Sequence, residues 1–124
     1  QVLRLVHLDA YVKQLPEGTE STVALGGANL SLVQRRQVCV ARMALRQPGL
    51  LLVDEAPVAI DPHVRGRLQV ALRVGFPDST IIAASRCAEA VLDFDEVAVL
   101  DRGRVVERGE PRALACWSGS LFHR

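Results

Sequence analysis

The chain of 124 residues has almost no charge imbalance: 15 basic residues face 14 acidic ones, for a formal net charge of +1. It therefore lacks the concentrated positive field with which nucleic-acid binders neutralise phosphates, and composition argues against such a partner. Its three cysteines, Cys39, Cys87 and Cys116, are odd in number and too scattered for a ligand pair or a disulfide framework, which fits a reducing compartment. Cys39 reads as a buried helical thiol. His7, His63 and His123 are equally dispersed, so no zinc site is expected. No apolar run approaches the ~20 residues a membrane helix needs, and no direct membrane insertion is expected. A cleavable signal, an internal repeat and a low-complexity tract are also missing, and the chain opens on Gln1 rather than methionine, as a piece of a longer product would. What is present is a globular profile, 49% hydrophobic and 23% charged, with room for one modest domain or part of a larger one.

Val2, Leu3, Leu5, Val6, Leu8, Tyr11 and Val12 have the spacing of one amphipathic helix ending before Pro16. Turn chemistry at Leu15-Pro16-Glu17-Gly18 and Leu25-Gly26-Gly27-Ala28-Asn29 predicts irregular structure to Asn29. Ser31 and Gln34 then have the spacing of a capping box, and a helix should start there. Val38, Met43, Ala44 and Leu45 form its apolar side, Arg35, Arg36, Arg42 and Arg46 its wet side, and Pro48-Gly49 its stop. Leu50 to Val53 reads as a doubly buried strand of a parallel sheet. Asp61-Pro62 marks a second helix start, with the carboxylate as cap and proline in the first turn, running through Val64, Leu68, Ala71, Leu72 and Val74. Strands are expected at Ser79 to Ala84, Asp95 to Leu100 and Arg104 to Arg108, the last two as an antiparallel pair turned at Asp101-Arg102-Gly103-Arg104. A helical turn or two at Ala88 to Leu92 and a last helix at Pro111 to Ala115 complete an α/β alternation.

Three groups of residues carry chemistry. Ser31, with the amides of the first helical turn, makes an anion site aided by the helix dipole, or an ordinary helix cap. Asp54, carried by an apolar strand to the edge of a sheet, stands where a magnesium ion could bridge through water to phosphates. Its neighbour Glu55 suits a base that orients and deprotonates a water attacking a phosphoryl group. The bland alternative is a solvated acidic pair.

At Asn29 to Arg35 (Asn-Leu-Ser-Leu-Val-Gln-Arg) and Leu50 to Glu55 (Leu-Leu-Leu-Val-Asp-Glu), the sequence resembles the nucleotide-binding domain of ATP-binding-cassette (ABC) transporters. The likeness runs nearly end to end. Ala59-Ile60-Asp61 sits at the family's D-loop, and Asp95 to Gly109 looks like its closing hairpin. Leu15 to Gly18, Gly26-Gly27 with Asn29, and Phe76 to Thr80 look most like the second such domain of the C subfamily, the multidrug-resistance-associated and sulfonylurea-receptor type.

The resemblance implies a partial P-loop NTPase-like (RecA-like) core: a mostly parallel sheet, a C-terminal antiparallel strand pair and an N-terminal helix from the helical subdomain. Residues 1–48 would be the end of that helical subdomain and 49–124 part of the core subdomain, with a missing strand between Ser79 to Ala84 and Asp95 to Leu100. It implies ATP and magnesium as cofactors, with Glu55 catalytic, Ser31, Gln34 and Asp61 at the nucleotide, and Asp54 at the metal. Transmembrane domains and a second nucleotide-binding domain would be its partners, at the cytoplasmic face of a membrane.

Several positions depart from the family pattern. Leu32 and Val33 replace the two glycines of Leu-Ser-Gly-Gly-Gln, and Val33 puts a branched side chain where close backbone approach matters. Ser85 stands at the switch histidine, and Pro57 is an oddity in the D-loop approach. The chain contains no GxxxxGK[ST] loop, hence no lysine and no amide cradle for the β and γ phosphates.

Three readings follow: an ATPase fragment inactive by itself, a degenerate non-hydrolysing regulatory or interaction module, and a chromosome-maintenance ATPase of the same superfamily. The hairpin and the charge balance count against the third.

Overall fold

A turn at His7 divides the N-terminal apolar stretch in two. In the computed structural model, which describes residues 1–54 and 62–123 with backbone alone over 62–65, α1 spans Val2–Leu5 and α2 spans Asp9–Gln14. The expected single helix is broken because His7 is left-handed (φ 58°), the Leu8 amide bonds back to the Leu3 carbonyl at 2.8 Å, and the His7 amide to that of Arg4 at 3.1 Å. These two bonds are a Schellman closure, here made with histidine where glycine is usual. The break drives Val6 and Leu8 inward, 1% and 2% exposed, onto Ala41 and Ala71.

Ser31 caps α3, Leu32–Arg46, which supplies Ala41 and Ala44 to the interior. Leu45, expected on its apolar side, is instead largely exposed, and so is Cys39, expected buried. Ala41 and Ala44, three apart, define the inward stripe, and Cys39 and Leu45 lie off it. The helix stops at Gln47, left-handed at φ 46°, and the Gln47 amide Nε2 donates to the carbonyls of Ala44 (2.6 Å) and Gly75 (2.9 Å). Gly75 ends α4, Pro62–Gly75, and a Cβ there would come within 2.8 Å of Leu5 Cδ2, so glycine lets α1 pack closely. The observed helix begins at Pro62 as expected; Asp61 lies outside the described residues.

Strand β1, Leu50–Val53, pairs with β2, Thr80–Ala83. The Thr80 amide reaches the Gly49 carbonyl at 2.9 Å and the Ala84 amide that of Val53 at 2.8 Å, a common advance of four residues that defines a parallel pair. Leu51 is buried, but Leu50 and Leu52 are 52% and 69% exposed, which corrects the expectation of a strand buried on both faces. Alternation of side chains puts Leu50 and Leu52 on one face, and no described element covers it.

Strands β3 (Val97–Asp101) and β4 (Arg104–Gly109) form a separate antiparallel hairpin, and β2 and β3, between which the resemblance places a further strand, are not hydrogen-bonded to each other. Arg102 and Gly103 both take positive φ, 46° and 75°, as a two-residue type I′ turn demands. The register shifts between Val99 and Leu100, where a bulge interrupts the ladder. The helix α5, Pro111–Cys116, follows with the buried Pro111 in its first turn. In place of the helical turns expected at Ala88 to Leu92 there is a single 3₁₀ turn, Ala88–Ala90.

The chain divides into two compact units, one holding Gln1 to Leu51 and α4 through Ile81, the other the described residues from Leu52 to Asp54 and from Ile82 onward. The whole is a mixed α/β fold with one parallel and one antiparallel strand pair, fitting part of an NTPase-like core.

Candidate functional site

The first unit presents the Ser31 turn. Asn29 builds its approach: Asn29 Oδ1 accepts from the Ala24 amide at 3.0 Å and Asn29 Nδ2 donates to the Thr22 carbonyl at 2.9 Å, pinning the loop that contains Gly26 and Gly27. Gly27 is buried at φ 70°, and a Cβ there would meet Arg35 Cγ and Cδ at 2.9 Å, so the Arg35 stem lies across this backbone. Sequence reasoning assigned these residues turn chemistry and missed the clamp; an asparagine just ahead of a capping box was the available signal.

The capping box itself is present. The Gln34 amide donates to Ser31 Oγ at 3.1 Å, and the Ser31 amide donates to Gln34 Oε1 at 2.8 Å. Two of the unpaired donors of the helix start are thereby satisfied, which leaves the amides of Leu32 and Val33 with no protein partner among the described residues. Because Ser31 Oγ accepts, its hydroxyl proton is available to donate. Two amides, one hydroxyl proton and the positive end of a 15-residue helix form a donor set that fits an anion such as a phosphate. Leu32 is half-exposed and Val33 partly buried, so both apolar side chains stand at this same turn.

The second unit carries Asp54, exposed at the bend that follows β1. Among the described residues no group of three or more His, Cys, Asp or Glu side chains could hold a metal. A lone exposed carboxylate does suit magnesium, which keeps most of its water and shares the rest of its shell with substrate phosphates. Glu55 and Asp61, the expected base and D-loop carboxylate, lie outside the described residues, as does Pro57.

Ser85 is partly buried and spent locally: Ser85 Oγ accepts from the Cys87 amide at 3.1 Å and donates to the Cys87 carbonyl at 3.2 Å. The second unit also contains a cluster that no sequence pattern announced. Glu107 accepts from Ser120 Oγ (2.7 Å), the Leu121 amide (2.8 Å) and the Phe122 amide (3.2 Å), fastening the C-terminal turn to β4. On the hairpin, Arg108 donates to both oxygens of Glu96, and this bond holds the Glu96 carboxyl below its usual range and the Arg108 guanidinium above its own.

A capped helix, then an apolar strand ending in an acid, then a parallel neighbour and a closing hairpin, are the elements of part of an NTPase-like α/β core. The comparisons with known proteins carry this further. No family model matches the chain. It is 40% identical over 98% of its length to a multidrug resistance-associated protein of Drosophila melanogaster, and 36% identical over 98% to ATP-binding cassette sub-family C member 2 of Rattus norvegicus. Among solved structures it superposes on a bacterial Atm1-family ABC exporter with ATP bound, at a TM-score of 0.82 and 28% identity, over 98% of this chain and 21% of that one. The chain belongs with the ABC transporters, and within them with subfamily C. It spans 9% and 8% of the length of the two curated relatives. No helix among the described residues is long and apolar enough to cross a membrane.

Proposed function

We propose that the chain contributes half of an ATP site to an ABC transporter of subfamily C, where ATP binding and hydrolysis drive transmembrane transport. The observation that carries this reading is the Ser31 turn, whose free amides and hydroxyl proton form an anion-binding set in a chain related to these transporters over 98% of its length.

In this reading Ser31 and the turn held by Gln34 bind the terminal phosphate of a nucleotide seated on the opposite domain. Asp54 would hold magnesium through water, and Asp61 would stand at the nucleotide as the D-loop carboxylate. Magnesium, when bound, supplies charge neutralisation at the phosphates. Glu55 orients the attacking water and takes its proton, work worth about a hundredfold or more in rate. Residues 1–48 belong to the helical subdomain and 49–124 to the core subdomain, in the second nucleotide-binding domain. Transmembrane domains and a first nucleotide-binding domain are the partners, at the cytoplasmic face of a membrane.

Within these 124 residues there is no GxxxxGK[ST] loop, so the chain by itself neither binds ATP tightly nor hydrolyses it. Joined to a first half that carries such a loop, it is expected to support magnesium-dependent turnover that Glu55→Gln abolishes. Turnover by the purified chain alone, abolished by the same substitution, would overturn the half-site reading.

Two observations favour a second reading, a degenerate module that holds the fold without catalysis. Val33 places its branched side chain in the anion-facing turn, and the Ser85 hydroxyl is occupied by its own backbone. If the joined protein is inert until Val33→Gly and Ser85→His are introduced together, the second reading holds.

A further inference from the structure

Helix α3 carries four arginines and no acidic residue in its 15 positions. Arg35, Cys39, Arg42 and Arg46 follow one another at intervals of four, three and four, so they form a single stripe along the helix, and all four are exposed. No side-chain hydrogen bond or ion pair of Arg35, Arg42 or Arg46 occurs among the described residues. Half-exposed Leu32 begins the stripe and exposed Leu45 flanks its end.

Helix physics does not ask for this arrangement. Arg42 and Arg46 are a like-charge pair at i, i+4, which destabilises a helix, and no glutamate or aspartate on α3 offsets it. Arg46 suits the negative C-terminal end of the macrodipole, whereas Arg35 sits near the positive end, where a cation is unfavourable. Arg35 is moreover laid across Gly27, whose missing Cβ leaves room for its stem. A local rule broken without local compensation marks a functional surface.

The geometry points to a docking face for an acidic polypeptide segment lying along α3. The stripe is one residue wide and about 16 Å long from Arg35 to Arg46 at the helical rise, the footprint of a helix or an extended segment. All three charges are arginine, the side chain that grips carboxylates through two parallel bonds. A bilayer or a duplex calls for a broader basic patch than this line one residue wide. Leu32 and Leu45 would take apolar contacts at the ends of the segment. Arg42 and Arg46, the residues that the test changes, lie toward the opposite end of α3 from Ser31, so failure of this inference and failure of the nucleotide reading are distinguishable.

The test titrates the 124-residue chain with a fluorescein-labelled helical peptide of about four turns, carrying glutamates at i, i+4, i+7 and i+11. Saturable binding is expected that slows alkylation of Cys39 in a Cys87→Ser, Cys116→Ser background. Arg42→Glu with Arg46→Glu should weaken it about tenfold or more, because two attractive pairs become repulsive. A peptide with lysines in place of the glutamates should bind this variant and not the original chain, and the variant should still melt in one cooperative transition, only slightly lowered, because both side chains are exposed and Arg46 alone loses a favourable dipole contact. The inference is overturned by lack of saturable binding, by equal binding of the two peptides, or by unchanged affinity in the variant. Tighter capture by anionic phospholipid vesicles or duplex DNA than by the peptide, lost in the same variant, would also overturn it and reassign the stripe to that partner.

Discussion

The N-terminal helical unit and the C-terminal hairpin unit are held together by different forces. In the first, Val6, Leu8, Ala41 and Ala71 close a small apolar core, and polar contacts serve mainly to end helices. In the second, carboxylates tie the elements: Glu107 to the C-terminal turn, Glu96 to Arg108, and Asp93 to Arg112 at 2.7 Å. The difference teaches where each unit is vulnerable. Apolar burial fails through cavities, carboxylate fastening through lost charge.

The largest expected effect lies in the hairpin unit. Glu107→Ala takes their acceptor from the buried Ser120 hydroxyl and the Leu121 amide, the Phe122 amide keeping Ser120 Oγ at 3.0 Å, and bonds to a charged group are each worth about 1.5–3 kcal/mol. A loss of about 3 kcal/mol is expected, seen as rapid hydrogen exchange at Leu121 and Phe122 while the amides of α3 stay protected. Exchange spreading equally through both units would dissolve the contrast. Val6→Ala tests the other side: removing two carbons from a side chain 1% exposed should cost about 2 kcal/mol, confined to the helical unit.

Ser31→Ala is a smaller perturbation. Loss of the cap should cost about 1 kcal/mol of helix stability, while Ser31→Thr retains most of it. If anion affinity at the turn falls with alanine by no more than cap loss accounts for, Ser31 is only a cap; a larger fall supports phosphate contact.

The smallest effect concerns pH. The Glu96 carboxyl is lowered from its ordinary 4.5 by its bond to Arg108, so its contribution is fully present above 4.5 and disappears as pH falls through the lowered value. Both partners are exposed, so a slight loss of hairpin protection is expected in that window, absent in Glu96→Gln. A strong acid transition surviving that substitution would assign acid sensitivity to another carboxylate.

Much of the fold was legible because it is local. Ser31 and Gln34 three residues apart, Pro62 at a helix start, and Arg102-Gly103 between two alternating stretches each dictate geometry within a few residues. The failures share a cause. The Schellman turn at His7 needs a left-handed residue that histidine adopts only when packing favours it, and nothing in the spacing of the apolar residues announces it. Whether Cys39 and Leu45 face inward depends on which stripe of α3 meets α1 and α4, and spacing along the chain does not fix that. The apolar run Leu50 to Val53 suggests burial on both faces because apolar composition reports what a strand can tolerate, whereas the burial of Leu50 and Leu52 depends on which elements cover them. At the candidate site, the capping box could be read from spacing, but the Asn29 clamp and the Arg35 stem over Gly27 depend on how a loop folds back.

The sequence by itself determined the family, the order of elements and the cap that turns two free amides and a hydroxyl proton toward an anion, because each rests on short-range spacing and backbone chemistry. Only the tertiary structure decided which face of α3 is buried, where the first helix breaks, and that Glu107 fastens the C-terminal turn. These depend on contacts between residues distant in the chain, whose energies come from burial and hydrogen bonds that exist only once the elements have met.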